Sequence, residues 1–566
     1  MTDAPPAWRH MPPRHLACGT RGRIVLACLT VGLLTMLASL LMGQDSNWDL
    51  RNYHLYSGWA VLHGRLSVDL APAQLQSYFV PWLDAGYYLL AVQGSPMLAA
   101  AVLGALHGLA FAATWAVAWL ALQGDARRPW LAPLLALAGC LGSAVFLAEL
   151  GSSMGDNTIA PLIIGALALA LHAARTDAAR HWLLAGLVLG LGLKLTSAPY
   201  ALGLGVAALA AGGRWTRRLR GAALMTAAAA LVFALIAGPW FWQVYQQFGN
   251  PLFPQFNHWF HSPLAWSLPN SDTSWVPKKA SHMLAWPLLF GVKPGHIGEG
   301  LLYQPAFGAL YLLAALALVR AAWRRTGRGR AGLSAPDSTA ARMLAIFVVV
   351  SFVAWMVLFS IHRYLVALEL LAPLALWLLA RHALPGTAAE KWAAALVAAC
   401  AAAGSWGGMM MIRQNTWNHE PWARPGFTVE TPPMEQPSTA TVLLTGGEPQ
   451  AWRIPFLPRQ AVYIGSETSF PKSPGYDERM RQIAAERGGK VYVMFPGALE
   501  GAPCRCWLDQ PDAQGADNQN RLLLGRYAHL RDYGSWQLIP ESCSVHGSTI
   551  GLGNYPFHWC EVKRLP

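Results

Sequence analysis

The sequence predicts an all-helical, multi-pass membrane domain followed by a small α/β domain outside the membrane. Three observations carry this expectation. Of the 566 residues, 54% are hydrophobic and only 13% are charged, and the apolar residues fall in blocks of about 20, the length a helix needs to cross a ~30 Å hydrocarbon core. Lys and Arg gather in short runs between the blocks, as membrane topology requires. Beyond about residue 413 the composition turns soluble and holds four of the eight cysteines.

Taken in order, a cytoplasmic tail is expected over 1–22, a transmembrane domain over 23–412 with a first outer loop at 44–96, and a periplasmic α/β domain over 413–566. Crossings fall near 23–43, 97–122, 130–150, 159–174, 222–246, 301–322, 343–360, 364–380 and 392–412. The first is longer than a signal-peptide core and lacks an A-x-A cleavage site, so it reads as an uncleaved span. The basic residues Arg9, Arg14, Arg21, Arg23, Arg127, Arg128, Arg175, Arg180, Arg214, Arg217, Arg218, Arg220, Arg320, Arg324, Arg325, Arg328 and Arg330 all fall on one side if the N-terminus is cytoplasmic. This pattern accounts for the formal charge of +13 without a nucleic-acid partner.

Residues 182–211 have basic clusters at both ends, so the number of crossings between them is even. A helix over that whole stretch, about 30 residues, is too long for one crossing and too short for two. A hairpin of two short helices turning at Lys194 to Pro199 fits, and brings the total to about eleven passes; a single tilted helix with Lys194 snorkelling is the alternative. In the tail, 441–446, 461–467 and 490–496 read as buried strands and 476–489 as an amphipathic helix ending at glycine. Cys504, Cys506, Cys543 and Cys560 suggest one or two disulfides, with a C-x-C zinc site as the alternative.

Polar groups beside a bilayer are costly and mark candidate sites. Asp49, in DSNWDLRNYHLYSGWAVLHGRL (45–66), follows the first span, and Asn52 to Leu62 reads as an amphipathic helix on the membrane surface; Asp49 is either a site carboxylate or its N-cap. Asp156 stands at the outer mouth of another span, with the same two readings. Lys194 at the hairpin tip calls for an anion such as phosphate. Arg363 and Tyr364 begin a late span, as site residues or as interfacial anchors. His258 and His261 lack a clear third metal ligand.

On these residues the chain resembles the GT-C superfamily of membrane glycosyltransferases, the group of the protein O-mannosyltransferases and the lipid A aminoarabinose transferase. The similarity spans roughly 20–380: an outer-loop Asp with Tyr four residues on (Asp49, Tyr53), Gly64-Arg65-Leu66, an aromatic-proline segment (Tyr78-Phe79-Val80-Pro81), a second outer acid (Asp156), a pattern of Gly186, Gly190, Lys194 and Thr196, and an Arg-Tyr pair (Arg363, Tyr364). Family members often carry Asp-Glu or Asp-x-Asp at the first acid. Here Leu50 and Arg51 follow Asp49, so no metal ligands are assigned and a divalent metal is an alternative only.

The resemblance implies an inverting transfer of a sugar from a polyprenyl-phosphate donor to a glycan, lipid or protein acceptor at the outer face of a bacterial inner membrane. It implies Asp49 as general base, Asp156 as orienting acid, and Tyr53, His54, Lys194, Arg363 and Tyr364 as substrate-binding residues. A transporter or flippase of lipid-linked or polar substrates is the second reading, although no inverted repeat of the Asp49 or Lys194 segments is visible.

Overall fold

The computed structural model describes residues 18–122, 128–268, 273–292, 304–325, 339–384, 388–497 and 536–564. Cys504, Cys506, Arg9, Arg14, Arg127, Arg328 and Arg330 lie outside the described residues.

Eight described helices are long and apolar enough to cross a membrane: Gly22–Met42, Pro96–Ala121, Asp156–Thr176, Trp215–Phe248, Ala306–Trp323, Thr339–Leu358, His362–Ala383 and Ala389–Arg413. The helix His362–Ala383 is the most enclosed, with 78% of its apolar window buried, whereas Gly22–Met42 is 11% buried and turns its leucines outward. The expected crossing at 130–150 is divided into Leu131–Gly142 and Ala144–Ala148, because Ser143 leaves the helix and caps the second piece by accepting a hydrogen bond from the Phe146 amide. A further short apolar helix, Ala280–Val292, lies between the expected crossings at 222–246 and 301–322; it is shorter than the length that marks a crossing in sequence.

Residues 182–211 form two short helices, Ala179–Leu191 and Ala198–Leu209. The first runs alongside the long helix Trp215–Phe248 in the same direction, since Gly221 abuts Trp182, Gly186 abuts Met225 and Gly190 abuts Ala229 and Val232. The second runs against Thr339–Leu358, with Gly203 against Phe347 and Ser351, and Arg342 donating to the Ala210 carbonyl. Both ends of the segment therefore lie at one end of the bundle, and its tip points into it. The arms are splayed, each packed on a different partner helix.

That end of the bundle also collects basic residues: Arg217 pairs with Asp177 at 2.7 Å, Arg128 with Glu390 at 2.6 Å, and Arg320 donates to the Ala383 carbonyl. The tail domain sits at the other end. Its mixed sheet runs in the order Val462–Gly465, Thr441–Leu444, Val491–Pro496, Phe557–Arg564, Trp536–Leu538. The first three strands are parallel, the rest antiparallel. The expected amphipathic helix is Pro474–Arg487, ending at Gly488 in the left-handed conformation, and Cys543 bonds Cys560.

Both faces of this sheet are covered, which is why Thr441–Leu444 and Val462–Gly465 are buried along their whole length. One face packs Leu443, Ile464 and Val493 on Tyr476, Met480 and Ile483. The other packs Val442, Leu444, Tyr463 and Met494 on Leu50, Leu55, Tyr56 and Trp59. The first outer loop thus shares a hydrophobic core with the tail, and the helix expected on the membrane surface is instead enclosed: Arg51, Asn52, His54 and Ser57 on its polar side are all buried. An amphipathic pattern marks the apolar face but cannot say that a distant domain, rather than the membrane, will cover it.

Candidate functional site

The site is assembled where the first outer loop, the loop before Asp156–Thr176, the hairpin tip and the turn before Val366 meet. Asp45 and Asn47 join the first two. Asp45 Oδ2 accepts a hydrogen bond from the Ser153 amide at 2.7 Å, Asn47 Nδ2 donates to Ser153 Oγ at 3.1 Å, and Asn47 Oδ1 accepts from the Leu50 amide at 2.8 Å. The turn that follows, Leu50–His54, is a π-helix with the Leu55 amide donating to the Leu50 carbonyl, a wide turn of the kind found at functional sites. Asp49 stands at its start in helical conformation and makes no side-chain cap.

Instead, Asp49 Oδ2 accepts from Arg363 Nη1 at 2.8 Å. The same Nη1 lies 3.7 Å from Asp156 Oδ2, and Asp156 Oδ1 accepts from Lys194 Nζ at 2.7 Å. Four charges from four segments therefore form one chain, Asp49–Arg363–Asp156–Lys194. Asp156 is the more enclosed acid, its side chain 3% exposed, while the Lys194 side chain is 30% exposed. Asp156 opens its helix after Gly155, whose φ of +81° only glycine adopts without strain. Among the described residues Asp156 Oδ2 accepts no hydrogen bond.

Arg363 is fixed by what surrounds it. It sits in the 3-10 turn His362–Leu365. The preceding His362 has its Nε2 2.5 Å from Glu369 Oε1, and Glu369 also accepts from Ser143 Oγ at 2.6 Å. The Arg363 guanidinium lies 5.1 Å from the Tyr364 ring and Lys194 Nζ 6.0 Å from it, at cation–π range. Tyr200 of the hairpin donates to the Tyr364 carbonyl. The tip itself is tied by Ser197, whose hydroxyl accepts from the Lys194 amide at 2.8 Å.

Tyr53 and His54 lie beneath Asp49, their rings 4.0 Å apart. Burial, and then the Asp49 carboxylate, hold the Tyr53 phenol well above its ordinary value, so it is a neutral donor. His54 Nδ1 is 2.6 Å from Asp84 Oδ1. Helix Leu55–Leu62 can approach the 82–88 helix this closely because Gly58 faces the Asp84 backbone: a Cβ there would lie 2.3 Å from the Asp84 carbonyl oxygen. Burial raises the Asp84 carboxyl, against the opposing pull of His54.

The structure therefore brings Asp49, Asp156, Lys194, Arg363 and Tyr364 together, with Tyr53 and His54 on the adjoining turn. Sequence reasoning leaves Asp84 without a role and does not single out Asp45, Ser197, Tyr200, His362 or Glu369. Of these, Glu369 carries a signal, being an acid inside an apolar span; the others acquire their partners only through the fold. One oxygen of each acid is taken, Asp49 Oδ2 by Arg363 and Asp156 Oδ1 by Lys194. Among the described residues no group of three His, Cys, Asp or Glu side chains is placed to hold a metal.

No family model matches the chain, and no curated protein matches it. Among solved structures it is similar to ArnT from Cupriavidus metallidurans bound to undecaprenyl phosphate (13% identity, 96% of this chain and 98% of that chain, TM-score 0.49). It is likewise similar to the same protein in the apo state (14%, 96% and 98%, 0.48). The Archaeoglobus fulgidus oligosaccharyltransferase in the apo form is a further structure of this kind (14%, 82% and 69%, 0.41).

Proposed function

We propose that the chain is an inverting membrane glycosyltransferase that moves a sugar from a polyprenyl-phosphate donor to an acceptor hydroxyl on the outer face of a bacterial inner membrane. The N-terminus is then cytoplasmic and the tail domain periplasmic. The observation that carries this reading is the chain Asp49–Arg363–Asp156–Lys194, at the end of the bundle opposite the basic clusters.

The chemistry follows from the charges. Asp49 Oδ1, to which no hydrogen bond is made among the described residues, takes the proton of the acceptor hydroxyl, a role worth roughly 10²–10⁴-fold in rate. The acceptor oxygen attacks the anomeric carbon from the side opposite the phosphate, and the bonding pair leaves on the phosphate oxygen. Lys194 and Arg363 meet the charge that grows there, while Asp156 holds both cations in place. The exposed Lys194 ammonium makes first contact with the phosphate, and the Tyr364 ring lies beside it.

The test is incubation of the purified chain with a panel of polyprenyl-phosphate sugars, reading the released lipid phosphate by mass spectrometry. Release by the wild type and none by Asp49→Asn supports the reading, and full activity in Asp49→Asn removes the base. The hairpin whose tip points into the bundle also suits a transporter or flippase. Flux of intact lipid-linked sugar across reconstituted vesicles, without bond cleavage, is the result that favours this second reading.

A further inference from the structure

Resting on the reading above, we propose that Asp45 is a positioning residue of the site: it ties together the two loops that carry Asp49 and Asp156, and so sets how both acids face Arg363. Its two oxygens serve different segments. Oδ1 accepts from the Asn47 amide at 3.0 Å and from Asn47 Nδ2 at 2.6 Å. Oδ2 accepts from the Ser153 amide at 2.7 Å, across 108 residues of chain. The bond to the Asn47 amide is a turn that an Asp makes with its own neighbours. The bond to Ser153 is made only by the fold.

Each contact leads on to one acid. Asn47 Oδ1 accepts from the Leu50 amide at 2.8 Å, at the start of the wide turn that Asp49 opens, and Asn47 Nδ2 donates to Ser153 Oγ. Ser153 leads directly into Asp156. The inner end of its loop is held separately: the Gly151 amide donates to His107 Nδ1 at 3.1 Å, and His107 Nε2 lies 3.1 Å from Thr158 Oγ1. Asp45 and Asn47 are both buried, so water has little access to take over their bonds.

The tail places Asp45 in turn. Gln44 and Asp45 pair in antiparallel register with Glu420 and His419. The Ser46 amide and hydroxyl both donate to the Asn418 carbonyl, at 2.9 and 2.8 Å, and Gln44 Nε2 donates to the Gly426 carbonyl at 2.7 Å. The carboxylate thus stands where the first span, the tail and the two acid loops meet. The tolerance is narrow, since Arg363 Nη1 lies 2.8 Å from Asp49 Oδ2 and 3.7 Å from Asp156 Oδ2. A displacement of about 1 Å in such a site costs up to ~100-fold in rate. Asp45 itself makes no bond to substrate in this scheme, and the hairpin tip that carries Lys194 is tied independently by Ser197.

The test is an exchange of two side chains. In Asp45→Asn the network lacks an acceptor: the NH2 faces either the Ser153 N–H or the Asn47 donors, and turning the Asn47 amide passes the conflict to the Leu50 N–H. The double variant Asp45→Asn/Asn47→Asp restores the tie between the loops. The amide at position 45 then accepts from the Ser153 N–H and donates to the carboxylate at position 47, which also accepts from the Leu50 amide.

With the full-length chain and the donor that the panel turns over best, Asp45→Asn is expected to lower kcat about 10–100-fold. The donor KM is expected to change less than about three-fold, and the double variant to return kcat to within about five-fold of wild type. Hydrogen–deuterium exchange, which needs no turnover, is expected to quicken over 47–50 or 150–156 in Asp45→Asn and to slow again in the double variant. Wild-type kcat in Asp45→Asn, a double variant no better than the single one, a loss carried by the donor KM alone, or unchanged exchange in both segments overturns the proposal. An inactive Asp49→Asn beside a fully active Asp45→Asn overturns the positioning role alone and leaves the glycosyltransferase reading standing. A wild type that turns over no donor, with exchange still quickened in Asp45→Asn, removes that reading and leaves the coupling of the two loops.

Discussion

At the scale of single residues, the candidate site depends on matched charges. Asp49, Asp156 and Arg363 are buried, and removing one member of a buried pair leaves its partner uncompensated at about 3–5 kcal/mol. The Lys194 side chain is itself 30% exposed, but the Asp156 carboxylate that it holds is only 3% exposed. On the proposed reading, Lys194→Met strips the buried Asp156 of its 2.7 Å partner and is expected to lower the thermal midpoint as well as to weaken binding of a polyprenyl phosphate at least ten-fold, read by titration in detergent. Arg363→Met is expected to weaken binding and lower the midpoint as well. Equal binding by wild type and Lys194→Met would rule out the ammonium as the phosphate contact. The acids, the lysine and the Arg-Tyr pair are legible in sequence because charged groups stand out against apolar spans. Asp84 is not, since nothing near it in the chain predicts an imidazole arriving from the preceding turn of the outer loop.

At the scale of elements, two close approaches place the side chains. Helix Leu55–Leu62 reaches the Asp84 backbone only through Gly58, where an added Cβ would lie 2.3 Å from a carbonyl oxygen that cannot move freely. Gly58→Ala is expected to cost about 1–3 kcal/mol as overpacking and to part His54 from Asp84, lowering turnover along with the thermal midpoint; an unchanged midpoint would show that the two helices are free to separate. The second approach is that of the hairpin arms to their partner helices through Gly186, Gly190 and Gly203. The hairpin is readable from parity and length, since basic residues at both ends of so short a stretch admit few other arrangements. The helix expected on the membrane surface lies elsewhere for the opposite reason: its apolar side, with Leu55, Tyr56 and Trp59, packs on the tail domain, which comes from the far end of the chain.

At the scale of the whole molecule, the tail domain covers the first outer loop and holds it over the bundle. Arg51 donates to Glu448 at 3.0 Å, Arg65 to the Ala461 carbonyl at 2.7 Å, and Asp69 accepts from the Tyr463 amide at 2.9 Å. Stability of this assembly carries a pH signature from His558, buried in strand Phe557–Arg564 and stacked on Phe495. Burial lowers its imidazole from 6.5 to about 4. Because the unfolded chain takes up the proton first, the contribution of neutral His558 is complete above about pH 6.5 and is lost as pH falls towards 4, amounting to roughly 3 kcal/mol. Thermal unfolding of wild type and His558→Gln across that window should show a steeper acid loss in wild type; parallel curves would mean that the imidazole is hydrated in the folded protein.

The sequence by itself determined the architecture and most of the charged cast. Span length, positive clusters, half-length hairpin and soluble tail all follow from local composition, because the cost of placing charge in hydrocarbon acts on each segment separately. Only the tertiary structure decided that Asp49 pairs with Arg363 rather than capping a helix, that Asp156 takes Lys194, that His54 takes Asp84, and that the first outer loop is roofed by the tail. Those choices belong to pairs of groups from distant segments, and the energy of such a pair is set by separation in space, which short-range pattern along the chain does not encode.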